Sequence, residues 1–290
     1  MPIVQHYKSQ LRVGASELWP ITPNSANLSW PKNWDVPDIA GNYWAINYVE
    51  GAQQPMLSVG IPLLNADTAK CPIHPPILNA HFITRSNDYE HDLANIPGMA
   101  LFDGFSGYGF SLAKGNSFTI SGAKGDQVRF SANYMLFGVP TAISAPFDNT
   151  YPYFQGEPIN FKSLCFKKNG VALDGVLNFS VTYSNSSTPD MSMSGICPQS
   201  VLPVDVNAGI ARGSAQFAFQ ANAVAHISTG DDIEIQIDSG VIATSIKLNN
   251  VLVNNPNDRG VGFGRQLRTY SLTLLGDSNI VGPITVTALP

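Results

Sequence analysis

The sequence predicts an all-β protein, a β-sandwich or barrel built from hairpins. Three observations carry this. Apolar and polar residues alternate with period two in segment after segment of residues 99–290. Turn signals such as Asn169-Gly170 and Gly125-Asp126 separate those segments. Helical stripes of period 3.6 are scarce, and the one weak candidate is 203–210.

The chain has 290 residues and divides into two expected parts, an N-terminal arm or loop-rich insertion over 1–98 and a β domain over 99–290. The first part is rich in Pro and Trp. All four tryptophans (Trp19, Trp30, Trp34 and Trp44) lie in it. Proline fixes φ and removes a ladder donor, so long central strands are excluded there. Short strands are expected at 11–13, 43–49 and 77–84. The aromatic content speaks for a packed arm, or an insertion with a small core of its own, over a floppy tail.

In the second part, residues 117–138 read SFTISGAKGDQVRFSANYMLFG. This is a hairpin around the turn Ala123-Lys124-Gly125-Asp126. Ser117, Thr119 and Ser121 share one side of its first strand. Gln127, Arg129, Ser131 and Asn133 share one side of its second. Of these seven only Arg129 is charged, which is unusual for a solvated face. A Pro/Tyr-rich connector spans 140–158. A strand then runs to the Asn169-Gly170 turn. The next strand sets Asn178, Ser180, Thr182 and Ser184 opposite Leu177, Phe179, Val181 and Tyr183. After a loop over 186–207, Ser214, Gln216, Ala218 and Gln220 alternate with Ala215, Phe217 and Phe219. Residues 232–238 alternate acids and Gln with isoleucines, and a turn at Ser239-Gly240 leads into another strand. A Gly-rich loop near 258–266 precedes a long strand from 267, and a short strand near 284–287 closes the chain.

Charged residues make up 13% of the chain, against about 25% in an average protein. A surface so poor in charge is covered by Ser, Thr, Asn, Gln and Gly, or is buried against copies of itself. The net charge of −5 and the absence of clustered Lys and Arg exclude a basic nucleic-acid footprint. Lys167-Lys168 reads as a solvated strand end. Three cysteines at long spacings (Cys71, Cys165 and Cys197) indicate no disulfide framework. The first residues carry no apolar h-region, so no signal peptide is expected, and no apolar run reaches the length of a membrane span.

Catalytic and metal signals are weak. Cys71, His74, His81 and His91 have spacings that fit no standard zinc scheme. The GDS at 276–278 lacks a nucleophile elbow. The glycines at 260–264 precede neither Lys-Ser/Thr nor a helix. Asp231, Asp232, Glu234 and Asp238 read as exposed acids on one face of one strand. No nucleophile, base and orienting group can be named together. No enzyme activity, cofactor or metal is expected.

The order of elements resembles the tail tube proteins of long-tailed bacteriophages. The carriers are LFDGFSGYGFSLAKGNSFTISGAKGDQVRFSANYMLFG, INFKSLCFKKNGVALDGVLNFSVTYSNSS, VDVNAGIARGSAQFAFQ, and DDIEIQIDSGVIATSIKLNNVLV followed by QLRTYSLTLLG. The resemblance covers about 99–290, and HYKSQLRVGASELWPI is weakly similar to the family's start; 23–97 has no match in a minimal member. It implies hexameric rings that stack into a tube, with hairpins of each subunit joining a shared lumen barrel. It implies as partners further copies of the chain, a tape measure protein, a tail terminator, and baseplate or tail-tip proteins. DNA passes through without lasting contact, and there is no membrane anchor. The expected location is the virion tail, after synthesis in the bacterial cytoplasm.

The lumen candidates are then Ser117, Thr119, Ser121, Gln127, Arg129, Ser131, Asn133, Asn178, Ser180, Thr182, Ser184, Ser214, Gln216 and Gln220. Arg129 is the awkward member. Facing the bore without an acidic partner, it would move its hairpin to the outer sheet. The competing reading is a virion decoration or carbohydrate-binding β-sandwich, with Tyr151, Tyr153 and Phe154 stacking on sugars. A hydrolase using the acidic strand is the third and weakest reading.

Overall fold

The computed structural model describes residues 9–14, 17–19, 21, 25–30, 34–35, 49–50, 53–65, 71–85, 93–147, 156–190, 202–203, 205–220, 226–259, 267–276 and 282–289. In chain order the strands are β1 (Gln10–Val13), β2 (Glu17–Trp19), β3 (Ala26–Ser29), β4 (Trp34–Asp35), β5 (Val49–Glu50), β6 (Met56–Pro62), β7 (Leu64–Asn65) and β8 (Ile96–Phe102). The long hairpin of β9 (Gly107–Ala123) and β10 (Arg129–Ile143) follows. Next come β11 (Glu157–Pro158), β12 (Leu164–Lys168), β13 (Val171–Ala172), β14 (Val176–Ser184), β15 (Thr188–Asp190) and β16 (Asp205–Asn207). The last are β17 (Arg212–Gln220), β18 (Ile233–Asp238), β19 (Ala243–Leu248), β20 (Val251–Arg259), β21 (Leu267–Leu274) and β22 (Ile284–Ala288).

Eleven of these strands form one antiparallel sheet, with the path β2-β1-β8-β9-β14-β17-β21-β20. β10 lies along the other edge of β9, and β6 and β3 extend the sheet from there. β9 is therefore shared. Its first half pairs with β8, its second half with β14, and most of its length with β10. A second sheet of five strands has the order β13-β12-β18-β19-β22.

The two sheets pack face to face as a sandwich. Alternation puts Phe118, Ile120, Phe130, Phe179, Val181 and Phe217 into the core from the large sheet. Phe166, Ile233, Ile235, Ile237, Ile246 and Val286 meet them from the small one. Phe166 bridges the layers, 5.3 Å from Phe179 and 6.2 Å from Phe217, ring centre to ring centre. Burying each such side chain contributes about 1.5–3 kcal/mol relative to leaving it in water.

The turns follow the sequence signals. Asn169 and Gly170 both have positive φ, as a two-residue hairpin turn of this kind requires. In the β9–β10 turn Asp126 N donates to Ala123 O at 2.9 Å, and Gly125 supplies the positive φ.

The N-terminal zone departs most from expectation. β6 is a seven-residue strand paired on both sides, where proline content argued against long central strands. Pro55 precedes it and Pro62 is its last residue, so its interior is free of proline. β1, β2 and β3 join the same sheet, and the expected boundary at 98/99 falls inside β8. Of residues 77–84, expected as a strand, 77–83 are helical and Thr84 is extended: Pro75–Leu78 is α and Asn79–Ile83 is a π turn. Pro75 and Pro76 occupy the first helical turn, where proline's fixed φ suits the helix and its missing N–H is not needed. Of 43–49, only residue 49 is described, in β5.

Elsewhere, the weak helix candidate at 203–210 contains strand β16, whose Val206 is fully buried. The second strand of the long hairpin starts at Arg129 and runs on to Ile143, with Pro140 just after a register shift. Asp231 and Asp232 lie in the loop ahead of β18, so only Glu234 and Asp238 of the acidic group are on the strand. Among the described residues no helix is long and apolar enough to cross a membrane.

Candidate functional site

The outer face of the large sheet gathers the predicted polar residues into rows. One row runs across the strands as Ser58, Asn133, Ser117, Ser184 and Arg212. The next is Ser131, Thr119, Thr182, Ser214 and Thr273. A third is Arg129, Ser121, Ser180, Gln216 and Ser271. Asn178, Ala218 and Thr269 begin a fourth. Four separate stretches of sequence thus lie on one side of one sheet, because each keeps the same inside-outside phase.

Side chains link the rows from strand to strand. Ser58 Oγ donates to Asn133 Oδ1 at 2.6 Å, and Asn133 Nδ2 donates to Ser117 Oγ at 3.1 Å. The Thr119 and Thr182 hydroxyls are 2.9 Å apart. Such cross-strand pairs fix register as well as adding small favourable terms. Farther along, Asn254 Nδ2 donates to Thr273 Oγ1 at 2.9 Å.

Two candidates sit at the margin. Gln127 precedes β10 and forms an isolated bridge with Asn160. Gln220 ends β17, opposite Leu267, with its backbone N–H donated to Gly175 O. Arg129 is exposed at the hairpin end of the third row, and among the described residues no acid pairs with it. Arg212 is the second cation of these rows, at the opposite end of the sheet.

Sequence reasoning missed part of this face. Thr269, Ser271 and Thr273 alternate along β21 in the same way, so the period-two signal was there to find. Ser58 was hidden by the prolines around β6. Lys114 was missed altogether. A register shift near Asn133 turns β9 so that Lys114 lies buried under β16. Its Nζ donates to Val206 O at 3.0 Å and pairs with Asp205 at 3.0 Å. Leu112, Met135, Phe137 and Val206 form a small apolar cluster there, apart from the main core. The β15–β16 ribbon thus closes one end of the polar face.

Among the described residues, the cysteines, histidines and acids with catalytic or metal-binding chemistry lie apart from this face. Cys71 is buried, and burial pushes its thiol up to about 11. His81 is stacked 5.7 Å from Trp19, and burial lowers its pKa to about 4. Cys165 is exposed and free. Lys247 pairs with Asp232 at 2.8 Å, and that hydrogen bond holds the carboxyl below its ordinary range. Burial pushes Glu234 up, but hydrogen bonds from Ser245 and Gln236 and nearby lysines outweigh it. Lys168 reaches Asp231 at 3.7 Å. Among the described residues no three His, Cys, Asp or Glu side chains converge on a metal-sized point. His91, Tyr151, Tyr153, Phe154, Cys197 and the glycines at 260–264 lie outside the described residues.

The face can therefore do one thing well. It presents many neutral donors and acceptors to solvent, and among the described residues of its rows the cations are Arg129 and Arg212, at two corners. No protein-family model matches the chain, and no curated protein matches its sequence.

Proposed function

We propose that this chain is the tube subunit of a long-tailed bacteriophage, assembling as hexameric rings that stack into a hollow conduit. The tube would hold a tape measure protein and then pass DNA, ending at terminator and tail-tip proteins. The observation that carries this reading is the broad, hydroxyl- and amide-rich face of the large sheet. A conduit for DNA must not retain phosphates. Each Lys or Arg that neutralises a phosphate strengthens binding, so a bore lined by Ser, Thr, Asn and Gln stays wet without gripping its cargo. Arg129 shares this face, and among the described residues no acid pairs with it, which is the condition for placing its hairpin outside the bore; the bore assignment therefore rests on β14, β17 and β21, whose central polar residues are uncharged.

Electron microscopy of the purified protein tests the reading. Hollow rods or sixfold rings are expected. A chain that stays monomeric and binds a glycan overturns it in favour of the decoration or carbohydrate-binding reading.

A further inference from the structure

Besides Leu252 on β20, large apolar side chains among the described residues of the big sheet are exposed at two separated places. At the β8–β9 turn Phe105 is 48% and Tyr108 45% exposed. At the start of β17 and the end of β21, Ile210 is 71% and Leu275 43% exposed. Neither is a loose end. Asp103 Oδ1 accepts from the backbone N–H groups of Phe105 (2.9 Å) and Ser106 (3.0 Å), and Trp30 packs edge-on to Tyr108 at 5.6 Å. Beside Ile210, Arg85 Nη2 donates to Gly209 O at 2.9 Å and to Asn185 Oδ1 at 3.1 Å. Leu275 follows Leu274, which is paired with both Gly213 and Val251. Both patches are held out to solvent by fixed backbone.

Within one chain the patches cannot meet. Arg212, beside Ile210, lies in the row of Ser117. Tyr108 is nine residues back along β9 from Ser117, about 30 Å at the rise of an extended strand. The charges beside them are opposite. Asp103 flanks Phe105, and Arg212 flanks Ile210 and is exposed. Arg12, on β1, is taken up over the Phe147 ring at 4.5 Å.

We propose that these patches are the two halves of a head-to-tail contact between copies of this chain, with Phe105 and Tyr108 of one copy against Ile210 and Leu275 of the next, and Asp103 facing Arg212. The contact is heterologous, so each added copy leaves one half unused and the assembly closes as a ring or continues as a filament. It rests on the proposed function only for what that assembly becomes, and it names the surfaces through which copies meet.

Sedimentation velocity with two patch variants tests it. Phe105→Ser/Tyr108→Ser and Ile210→Ser/Leu275→Ser should each remain monomeric at concentrations where the unaltered chain associates, with melting curves confirming that both fold. Mixed together, they should cross-link as a one-to-one dimer and nothing larger, since one competent half remains on each. Arg212→Asp should weaken association about tenfold, whereas Arg212→Lys, which keeps the charge facing Asp103, should leave it nearly unchanged. Assembly of either patch variant like the unaltered chain, or equal association of Arg212→Asp and Arg212→Lys, overturns the contact. Hollow tubes from the patch variants would reject the contact and keep the tail reading. Patch-dependent assemblies without a bore would do the opposite.

Discussion

The hydroxyls of Thr119 on β9 and Thr182 on β14 lie 2.9 Å apart, tying two strands that are far apart in sequence. Replacing either threonine by valine removes one partner and leaves the other half-buried and unmatched. Each single substitution should cost about 1 kcal/mol, and the double substitution less than the sum of the two, because no unpaired hydroxyl remains. Urea denaturation of the two single variants and the double measures this.

Lys114 and Asp205 are unequal partners. Lys114 is buried, whereas the Asp205 side chain is 41% exposed. Replacing Asp205 by Ala leaves the buried Lys114 ammonium without its carboxylate, though still bonded to Val206 O, and should cost about 2 kcal/mol, less than a fully buried pair would. Lys114→Met removes the buried charge, leaves Asp205 to water, and should cost less than Asp205→Ala. The reverse order in denaturation midpoints would contradict this account of the ribbon.

His81 gives the fold an acid limit. Burial holds its folded pKa near 4, against an ordinary value of 6.5. Below pH 6.5 the unfolded chain takes up a proton that the folded chain refuses. Stability should therefore fall between pH 6.5 and about 4, by about 3 kcal/mol in all. His81→Phe should flatten that part of the stability–pH curve.

Gly115 sits where β9 passes the π turn. A Cβ there would run into His81 O and the Phe82 ring. Gly115→Ala should cost about 2–3 kcal/mol, since backbone must move to relieve the contact. Gly125→Ala meets nothing sterically but must adopt positive φ, and should cost about 1 kcal/mol. Thermal melting of the pair separates crowding from conformational strain.

Under the tube reading, Ser180→Lys and Ser214→Lys place cations in the middle of the polar rows. Tubes should still form, because both positions lie on the outer face, but DNA ejection should slow and recover with added salt. Ejection at the normal rate would mean that these rows do not line the bore.

The all-β class and the polar phase of β9, β14 and β17 were legible in the sequence, because alternation is a local signal and survives wherever one face is buried. Ser117, Ser180 and Ser214 came out on one face for that reason alone. What was illegible was non-local. Nothing local ties β6 to β10 across the long intervening stretch, and prolines at its ends masked its Ser58. Pro75-Pro76 reads as a strand breaker or as a helix start with equal ease, and only Leu78 and Phe82, buried on one side, decide it. Lys114 breaks the polar-uncharged pattern because a register shift rotates it beneath β16, and no sequence period announces such a shift.

The sharing of β9 between two sets of neighbours has a mechanical consequence. Antiparallel backbone hydrogen bonds run across the strands. A pull along β9 therefore loads its bonds to β8, β10 and β14 side by side, in shear, and they must fail together. A pull across the sheet would instead peel them singly. Seventeen residues long, β9 is placed to act as a tie-rod: the large sheet should resist force along its longest strand better than force at right angles to it.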